Sequence, residues 1–415
     1  MTDPIVFKGL KVLDMSWIGV GPLTMRYLAD FGATVIRVES VTRPDNSRTV
    51  SPFKGGQPEF SLGQFNANFN TSKLDLGLNL ALEEGRDVIR RLLREWQPDV
   101  LAESFTPKTM GKWGLDYEQV DVKRPGIVYL STCQQGHTGP HRDFAGYGTQ
   151  ATCLAGFHSV TGWPDKEPVG PYGAYTDFVN PPNALVAVLS ALEYRRRTGK
   201  GQYLDLSQLE CAIHYLAPAA LDYTANGRLP GRVGNRDPHY VPHGVYPCEN
   251  EDETRTGGAW CVIAVSDDEE WRALVRAMGS PSWAVEERFA TAAGRREYEN
   301  EIDGRMEAWT QGFTMHDLMR RLQEAGVPSG AAQAGADLWT DPQLKHRGYF
   351  RWLDHPVKGP MPYEDVQALL PKTPGRPRWA SPLVGQDNDE VLKGILGMSD
   401  AEVAGLAERG VLETA

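Results

Sequence analysis

The first forty residues constrain the fold more than any other part of the chain. Lys11 to Met15, KVLDM, is a short apolar burst bounded by Gly9 and by the turn-forming IGVGP, which reads as a buried strand. Leu23 to Phe31 follows with helical spacing and stops at Gly32, after which ATVIRVES reads as a second strand. Strand, loop, helix and strand in that order predict a βαβ unit of a parallel, doubly wound sheet. The loop between strand and helix, SWIGVGP, is therefore the first place to look for a ligand.

The pattern continues along the chain. Glu83 to Trp96 sets Val88, Ile89, Leu92 and Leu93 on one helical face, DVLAESF reads as a strand closed by Thr106-Pro107, and GIVYLST as another. Gly136 to Gly173 is Gly-rich with little regular pattern, and a loop-rich stretch of that length inside a compact domain usually exists for function. From Asn183, the residues Leu185, Val186, Val188, Leu189 and Leu192 mark an amphipathic helix that ends in cations and then glycine at TGKGQ. YLDLSQLECAIHYLAPAAL adds a strand and a helix, whereas Asn226 to Gly244 is rich in Gly, Pro, Arg and His. WCVIAVSDDEEWRALVRAMG then opens a strand and helix of a second, α+β domain.

The expected fold class is α/β: a Rossmann-like large domain at 1–215, a linker at 216–235, a smaller α+β domain at 236–330, and a return linker with C-terminal helices packing on the large domain at 331–415. The Pro-rich stretch from His355 to Pro382 is expected to run over the surface, and SDAEVAGLAERG to form a final helix. No tandem repeat suggests a solenoid or propeller.

With a formal charge of −11 and no basic block, nucleic acid is a poor ligand, since phosphate backbones need a concentrated basic face. The five cysteines, Cys133, Cys153, Cys211, Cys248 and Cys261, are odd in number and scattered, which reads as free thiols in a reducing compartment. No basic and apolar leader opens the sequence, and no window reaches ~18 uninterrupted apolar residues. The expectation is a cytoplasmic protein with no membrane partner. His137 and His141, and His239 and His243, have H-x-x-x-H spacing, but Pro140 and Pro242 interrupt any shared helical face, so no metal site is expected. No G-x-S-x-G elbow with a plausible triad is present.

The stretch GPYGAYTDFVNPP places one acid, Asp177, just ahead of the long amphipathic helix. Asn180 and Pro181 suit the cap and first position of that helix, which leaves Asp177 without a capping duty. If the chain turns back, the positive end of the helix keeps the acid ionised, and a poorly solvated carboxylate is a competent nucleophile toward an activated acyl group. The alternative is an ordinary loop aspartate bonded to neighbouring amides. Gly19 and Gly21 in SWIGVGP serve equally as a tight turn or as a cradle for a phosphate or carbonyl oxygen. The loop is not G-x-G-x-x-G, so it does not announce a dinucleotide.

Several segments together resemble the class III CoA-transferases, the family of formyl-CoA:oxalate, carnitine and benzylsuccinate CoA-transferases and of the related α-methylacyl-CoA racemases. They are GLKVLDMSWIGVGPLTMRYLADFGATVIRVE, the looser DNSR ending at Arg48, NTSKLDLGLNL, DVLAESFTP, GHTGP, TDFVNPPNALVAVLSALEYRRRTGKGQYLDLSQLE and, after a gap, HGVYPC. The resemblance implies that Asp177 attacks the thioester of an acyl-CoA to give a mixed anhydride and CoA thiolate, with a carboxylic acid as acceptor. It implies coenzyme A contacts at Val20, Leu76, Phe105 and Lys112, with Arg48 a candidate for phosphate. It further implies an interlocked homodimer, with CoA a substrate and no permanently bound cofactor.

The departures from the family also carry expectations. Where formyl-CoA transferases have a glutamine this chain has Gly19, and where they follow a tyrosine with an acid it has Tyr147-Gly148; their glycine-only loop is replaced by a segment such as PHYVPHGVYP. These changes point away from oxalate or formate and toward a roomier acyl pocket around Gly19, Tyr147 and Gly148. The racemases pair a histidine with an acid at the position of Tyr147-Gly148, and abstraction beside a thioester needs a base on each face of the carbon, so transfer is favoured over racemisation. An acyl-CoA racemase and a CoA-ester binding protein without turnover remain the rivals.

Overall fold

A computed structural model describes residues 5–252 and 254–415. The chain divides into two compact units: one holds the stretch up to Phe157 with Gly170–Arg228 and Gln343–Ala415, the other His158–Val169 and Leu229–Pro342. The expected linker at 216–235 contains a helix, Ala217–Asn226, and the second unit runs on to Pro342.

The larger unit is built on six parallel strands: β1 (Lys11–Asp14), β2 (Thr34–Glu39), β3 (Leu74–Gly77), β4 (Val100–Glu103), β5 (Val128–Cys133) and β6 (Gln202–Ser207). Their order is β3-β2-β1-β4-β5-β6, so the winding direction reverses between β1 and β4. In an open α/β sheet the crevice beyond the carboxyl ends of the strands at that reversal is where ligands bind.

Alternation along the strands separates two apolar layers. Val12, Val35, Val100, Val128 and Leu130 pack with Met25, Leu28, Ala29, Ala184 and Val188 from the Val20–Asp30 and Pro181–Thr198 helices. Leu13, Ile36, Leu76 and Leu101 face the other way, against Val88, Ile89, Leu92 and Leu93 and against Val391, Leu392, Val403 and Leu406 near the C-terminus. The last forty residues thus complete one face of the sheet. Glu413 donates its N–H to Gly77 and Asp387 accepts from Asp75 N–H, which covers the β3 edge.

Three local expectations are corrected. The Pro181–Thr198 helix buries Ala184, Val188 and Ala191 most deeply, whereas Val186 is 64% exposed. The Pro-rich stretch from His355 onward is not merely a surface connection. It completes a hairpin of β10 (Phe350–His355) and β11 (Gly359–Glu364), whose Tyr363 packs with Ala67 and Ala380, and Arg378 donates to the carbonyls of Ala29 and Ala33. Pro360 and Pro362 are tolerated because β11 pairs on one edge only. Finally, Asn180 does not cap the long helix through its side chain: its own backbone is helical, and its Nδ2 donates instead to the Gln208 carbonyl at 3.0 Å.

The smaller unit has its own core. Strands β7 (His243–Cys248), β8 (Ala259–Ala264) and β9 (Ser329–Ala331) form an antiparallel sheet, and its Cys261 and Ile263 pack with Trp271, Leu274, Ile302, Met306, Leu318 and Leu322 of three helices. Asp267 caps the first of these helices by accepting from the N–H groups of Glu269 and Glu270.

Candidate active site

Asp177 lies within a five-residue helix, Tyr175–Val179, whose placement buries it to 4% exposure. It stands on the wall of a cavity of about 480 Å³ at the winding reversal, lined also by Trp17, Ile18 and Gly19 after β1, Ser104 and Phe105 after β4, Thr132 and Cys133 at the end of β5, and Tyr147. The two loops of the reversal are tied directly, since Trp17 N–H donates to Ser104 Oγ at 2.7 Å.

Gly19 and Gly148 are the reason the carboxylate fits. A β-carbon on Gly19 would stand 2.8 Å from Asp177 Cγ, and one on Gly148 would stand 2.8 Å from the same atom. The space these glycines vacate is therefore taken by the aspartate itself. This corrects the expectation of a roomier acyl pocket at those two positions: the missing side chains bring two backbone segments against the carboxylate.

The electrostatic setting differs from the expected one as well. Burial pushes the Asp177 carboxyl up to about 7, and the one interaction opposing that rise is a hydrogen bond from the Gly148 backbone. The helix that follows does not hold the acid in its ionised form at low pH. What the site offers is a carboxylate with no cationic partner among the described residues, whose basicity is raised by desolvation.

Beneath the same loop lies a dense set of buried charges. Arg37 pairs with Asp45 at 2.6 Å and Glu39 at 3.1 Å and donates to the Ser16 carbonyl, Lys73 pairs with Asp14 at 2.8 Å, and Arg48 is hydrogen-bonded to Glu39. Despite burial, Lys73 and Arg37 hold Asp14 below the usual carboxylate range, and Arg37 and Arg48 do the same for Glu39. Asp75 goes the other way: burial and the adjacent Glu39 push its carboxyl well up, so it stays protonated beside its neighbour. Asp45 also accepts from Ile18 N–H at 3.0 Å, holding Ile18 at φ +63°, a left-handed conformation that a β-branched residue adopts only under constraint. The charges thus fix the backbone of the ligand-facing loop.

Of the residues singled out from sequence, the cavity brings together Asp177, Gly19, Tyr147 and Phe105, with Gly148 directly against the carboxylate. Val20 and Leu76 stand elsewhere, their side chains committed to the two apolar layers. Arg48 borders a separate cavity with Phe53 and Phe60, but its guanidinium is bound to Glu39 and the Pro382 carbonyl. Lys112 is exposed and lines no cavity near Asp177, although Thr109 and Trp113 of the same helix do line a neighbouring one.

That neighbouring cavity, of about 430 Å³, shares Trp17, Phe105 and Thr109 with the first and adds Ser40, Arg43, Asn79 and Trp113. Sequence reasoning missed Arg43 and Asn79, as well as Asn46, Gln134, Gln150 and Gln208 around Asp177. Half of them, Asn79, Gln134 and Gln208, share a signal of position: each falls within two residues of the carboxyl end of a strand. Among the described residues, no group of three His, Cys, Asp or Glu side chains is placed to hold a metal, and no helix is long and apolar enough to cross a membrane.

A cavity at the winding reversal with a desolvated carboxylate defines an α/β protein equipped for acyl chemistry, and comparison with known proteins gives its family. The chain belongs to CoA-transferase family III, whose model matches residues 7–388. It is 30% identical over 411 residues to succinyl-CoA–D-citramalate CoA-transferase of Chloroflexus aurantiacus, covering 99% of this chain and 98% of that one. It is also 30% identical to succinate–glutarate CoA-transferase of Agrobacterium fabrum, covering 93% and 94%. Among solved structures, a CAIB/BAIF family protein from Brucella suis superposes with a TM-score of 0.84 at 30% identity, covering 95% of this chain and all of that one. The chain is thus an enzyme of the CoA-transferase class.

Proposed function

We propose that this enzyme moves CoA from an acyl-CoA to a carboxylic acid through an acyl anhydride of Asp177. The observation that carries the reading is the Asp177 carboxylate, buried without a cationic partner on the wall of the cavity at the winding reversal. Its oxygen attacks the thioester carbon, the C–S bond breaks, and CoA leaves as the thiolate. The acceptor's carboxylate then attacks Cγ of Asp177 in the anhydride and displaces the donor acid. Finally the thiolate attacks the acceptor's acyl carbon, forming the new thioester and returning the aspartate. A carboxylate suits the task because the anhydride keeps the acyl group activated, provided water is excluded.

The two adjoining cavities support a path for the CoA, with the thioester beside Asp177 and the rest of the molecule passing Trp17 and Phe105 toward Arg43, the one cation lining either cavity among the described residues. The N-terminus of the Val20–Asp30 helix begins at Gly19, against the carboxylate, where its free amides favour the negative charge that develops on the thioester oxygen. The named relatives act on succinyl-CoA with D-citramalate, and on succinate with glutarate, which supports an organic acid as acceptor. CoA is a substrate in this scheme and no resident cofactor is needed. We further propose an interlocked homodimer, a reading supported by Val186, Tyr194, Ile213, Leu221 and Tyr223, apolar side chains left exposed on the helices between Pro181 and Asn226.

The test is chemical trapping. Incubation with an acyl-CoA followed by hydroxylamine converts an Asp177 anhydride to the hydroxamate, read by mass spectrometry of the peptide. Exchange of the α-hydrogen with deuterium and no label on Asp177 would support racemisation instead.

A further inference from the structure

Phe105 lines both cavities, and its ring meets Trp17 and Trp113 edge to face, each with centroids 5.3 Å away. Whatever fixes Phe105 fixes the junction between the two cavities. Its N–H donates to Glu103 Oε2 at 2.7 Å, and the imidazole of His137 lies close enough to its backbone to interact with it. One backbone position is therefore gripped by two titratable side chains, from the end of β4 and from the loop after β5.

These two side chains also face each other. Glu103 Oε1 and His137 Nε2 lie 3.6 Å apart, both atoms are buried, and neither has a hydrogen-bond partner among the described residues. Two unpartnered buried polar atoms in that relation call for a proton between them. In a neutral imidazole whose proton is on Nδ1, Nε2 is an acceptor, and only one proton is needed to join the pair. His137 is held independently, its own N–H donating to Asp205 at 2.8 Å.

We propose that Glu103 and His137 form a one-proton hydrogen-bonded pair that holds Phe105 in place and so positions the thioester against Asp177. Both are positioning residues, and the proposal rests on the acyl-transfer reading above. The surroundings favour the proton staying on the pair in neutral form. Glu103 is faced by Asp205, Tyr203, Tyr129, Cys133 and Ser131, with no Lys or Arg among them. Burial accordingly pushes its carboxyl up to about 7 and pushes the His137 imidazole down. Above that range the proton is lost and two acceptors confront each other, so the link between Glu103 and His137 breaks and Phe105 is held from one side alone, by Oε2.

The experiment compares Glu103→Ala with Glu103→Gln by steady-state kinetics across pH 6 to 9, with hydroxylamine trapping at Asp177 in parallel. In the wild type, KM for the acyl-CoA rises at alkaline pH while trapping persists. Glu103→Ala raises KM at least about tenfold at neutral pH, as expected for the loss of two buried hydrogen bonds. Glu103→Gln keeps both bonds, its carbonyl accepting from Phe105 and its amide donating to Nε2, so KM stays near the wild-type value and the alkaline rise disappears. A KM within twofold of wild type in Glu103→Ala, or an alkaline rise that survives in Glu103→Gln, overturns the proposal. If Glu103→Ala does not fold, the Glu103→Gln profile decides alone. Absence of the hydroxamate in the wild-type enzyme would instead overturn the acyl-transfer reading, and is seen separately.

Discussion

Two regions on opposite sides of one loop bury carboxylates almost equally well and do opposite things with them. Under the SWIGVGP loop, Asp14 and Glu39 are wholly buried yet held below the usual carboxylate range, because Lys73, Arg37 and Arg48 stand beside them. On the cavity side of the same loop, Asp177 is buried almost as deeply and its carboxyl is pushed up to about 7, because only the Gly148 backbone answers its charge. Burial alone therefore does not make a carboxylate structural or reactive. Between these two regions the difference is the cations that stand beside Asp14 and Glu39 and are missing beside Asp177.

The largest effect expected from breaking this contrast is on chemistry. Asp177→Asn removes the proposed nucleophile while keeping its shape, and kcat should fall by at least about 10³-fold, with no hydroxamate formed at residue 177. The same variant should melt higher than the wild type at pH 8 and by a clearly smaller margin at pH 5. The folded carboxyl is raised above its unfolded value, so its contribution to stability is complete below the ordinary carboxylate range and is lost as pH rises through about 7. A calorimetric scan at the two pH values checks the sign.

The paired region should respond in the opposite sense. Arg37→Met leaves Asp45, Glu39 and Asp14 short of a cation, and breaking a buried network in this way costs about 3–5 kcal/mol. Denaturant unfolding should show that loss, growing as pH rises and the orphaned acids ionise. A smaller effect is expected at the glycine: Gly148→Ala brings a methyl to within 2.8 Å of Asp177 Cγ, and displacement of the carboxylate should lower kcat about 10²-fold with the fold retained, as read by far-UV circular dichroism. The smallest effect is on pH dependence. Single-turnover anhydride formation should rise about tenfold from pH 6 to pH 8, following ionisation of a group near 7, whereas a group near 4 would give a flat profile.

Much of the frame was legible because it is written in local pattern. The βαβ unit at the start, the strands at DVLAESF and GIVYLST and the helix from Glu83 follow from hydrophobic period and glycine stops, and each forms where the pattern places it. The errors share a cause. Asn180 has a capping side chain, but a nearby carbonyl of Gln208 claims it, and the Pro-rich stretch joins a hairpin because the larger unit has a surface for it. Val20 and Leu76 sit beside the right loops, yet strand and helix alternation turns their side chains into the core. Arg48 looked available for phosphate in sequence, and only the fold brings Glu39 to it.

What the sequence by itself determined is the order of elements, hence the parallel sheet and the reversal at which a ligand site must open, together with the family motifs that mark Asp177. What only the tertiary structure decided is the character of that acid. Gly19, Gly148 and Asp177 are separated by more than a hundred residues from first to last, and their meeting strips water from the carboxylate without supplying a cation. The spacing of charges along a chain does not report which of them share a low-dielectric interior, and that sharing sets a carboxylate's basicity.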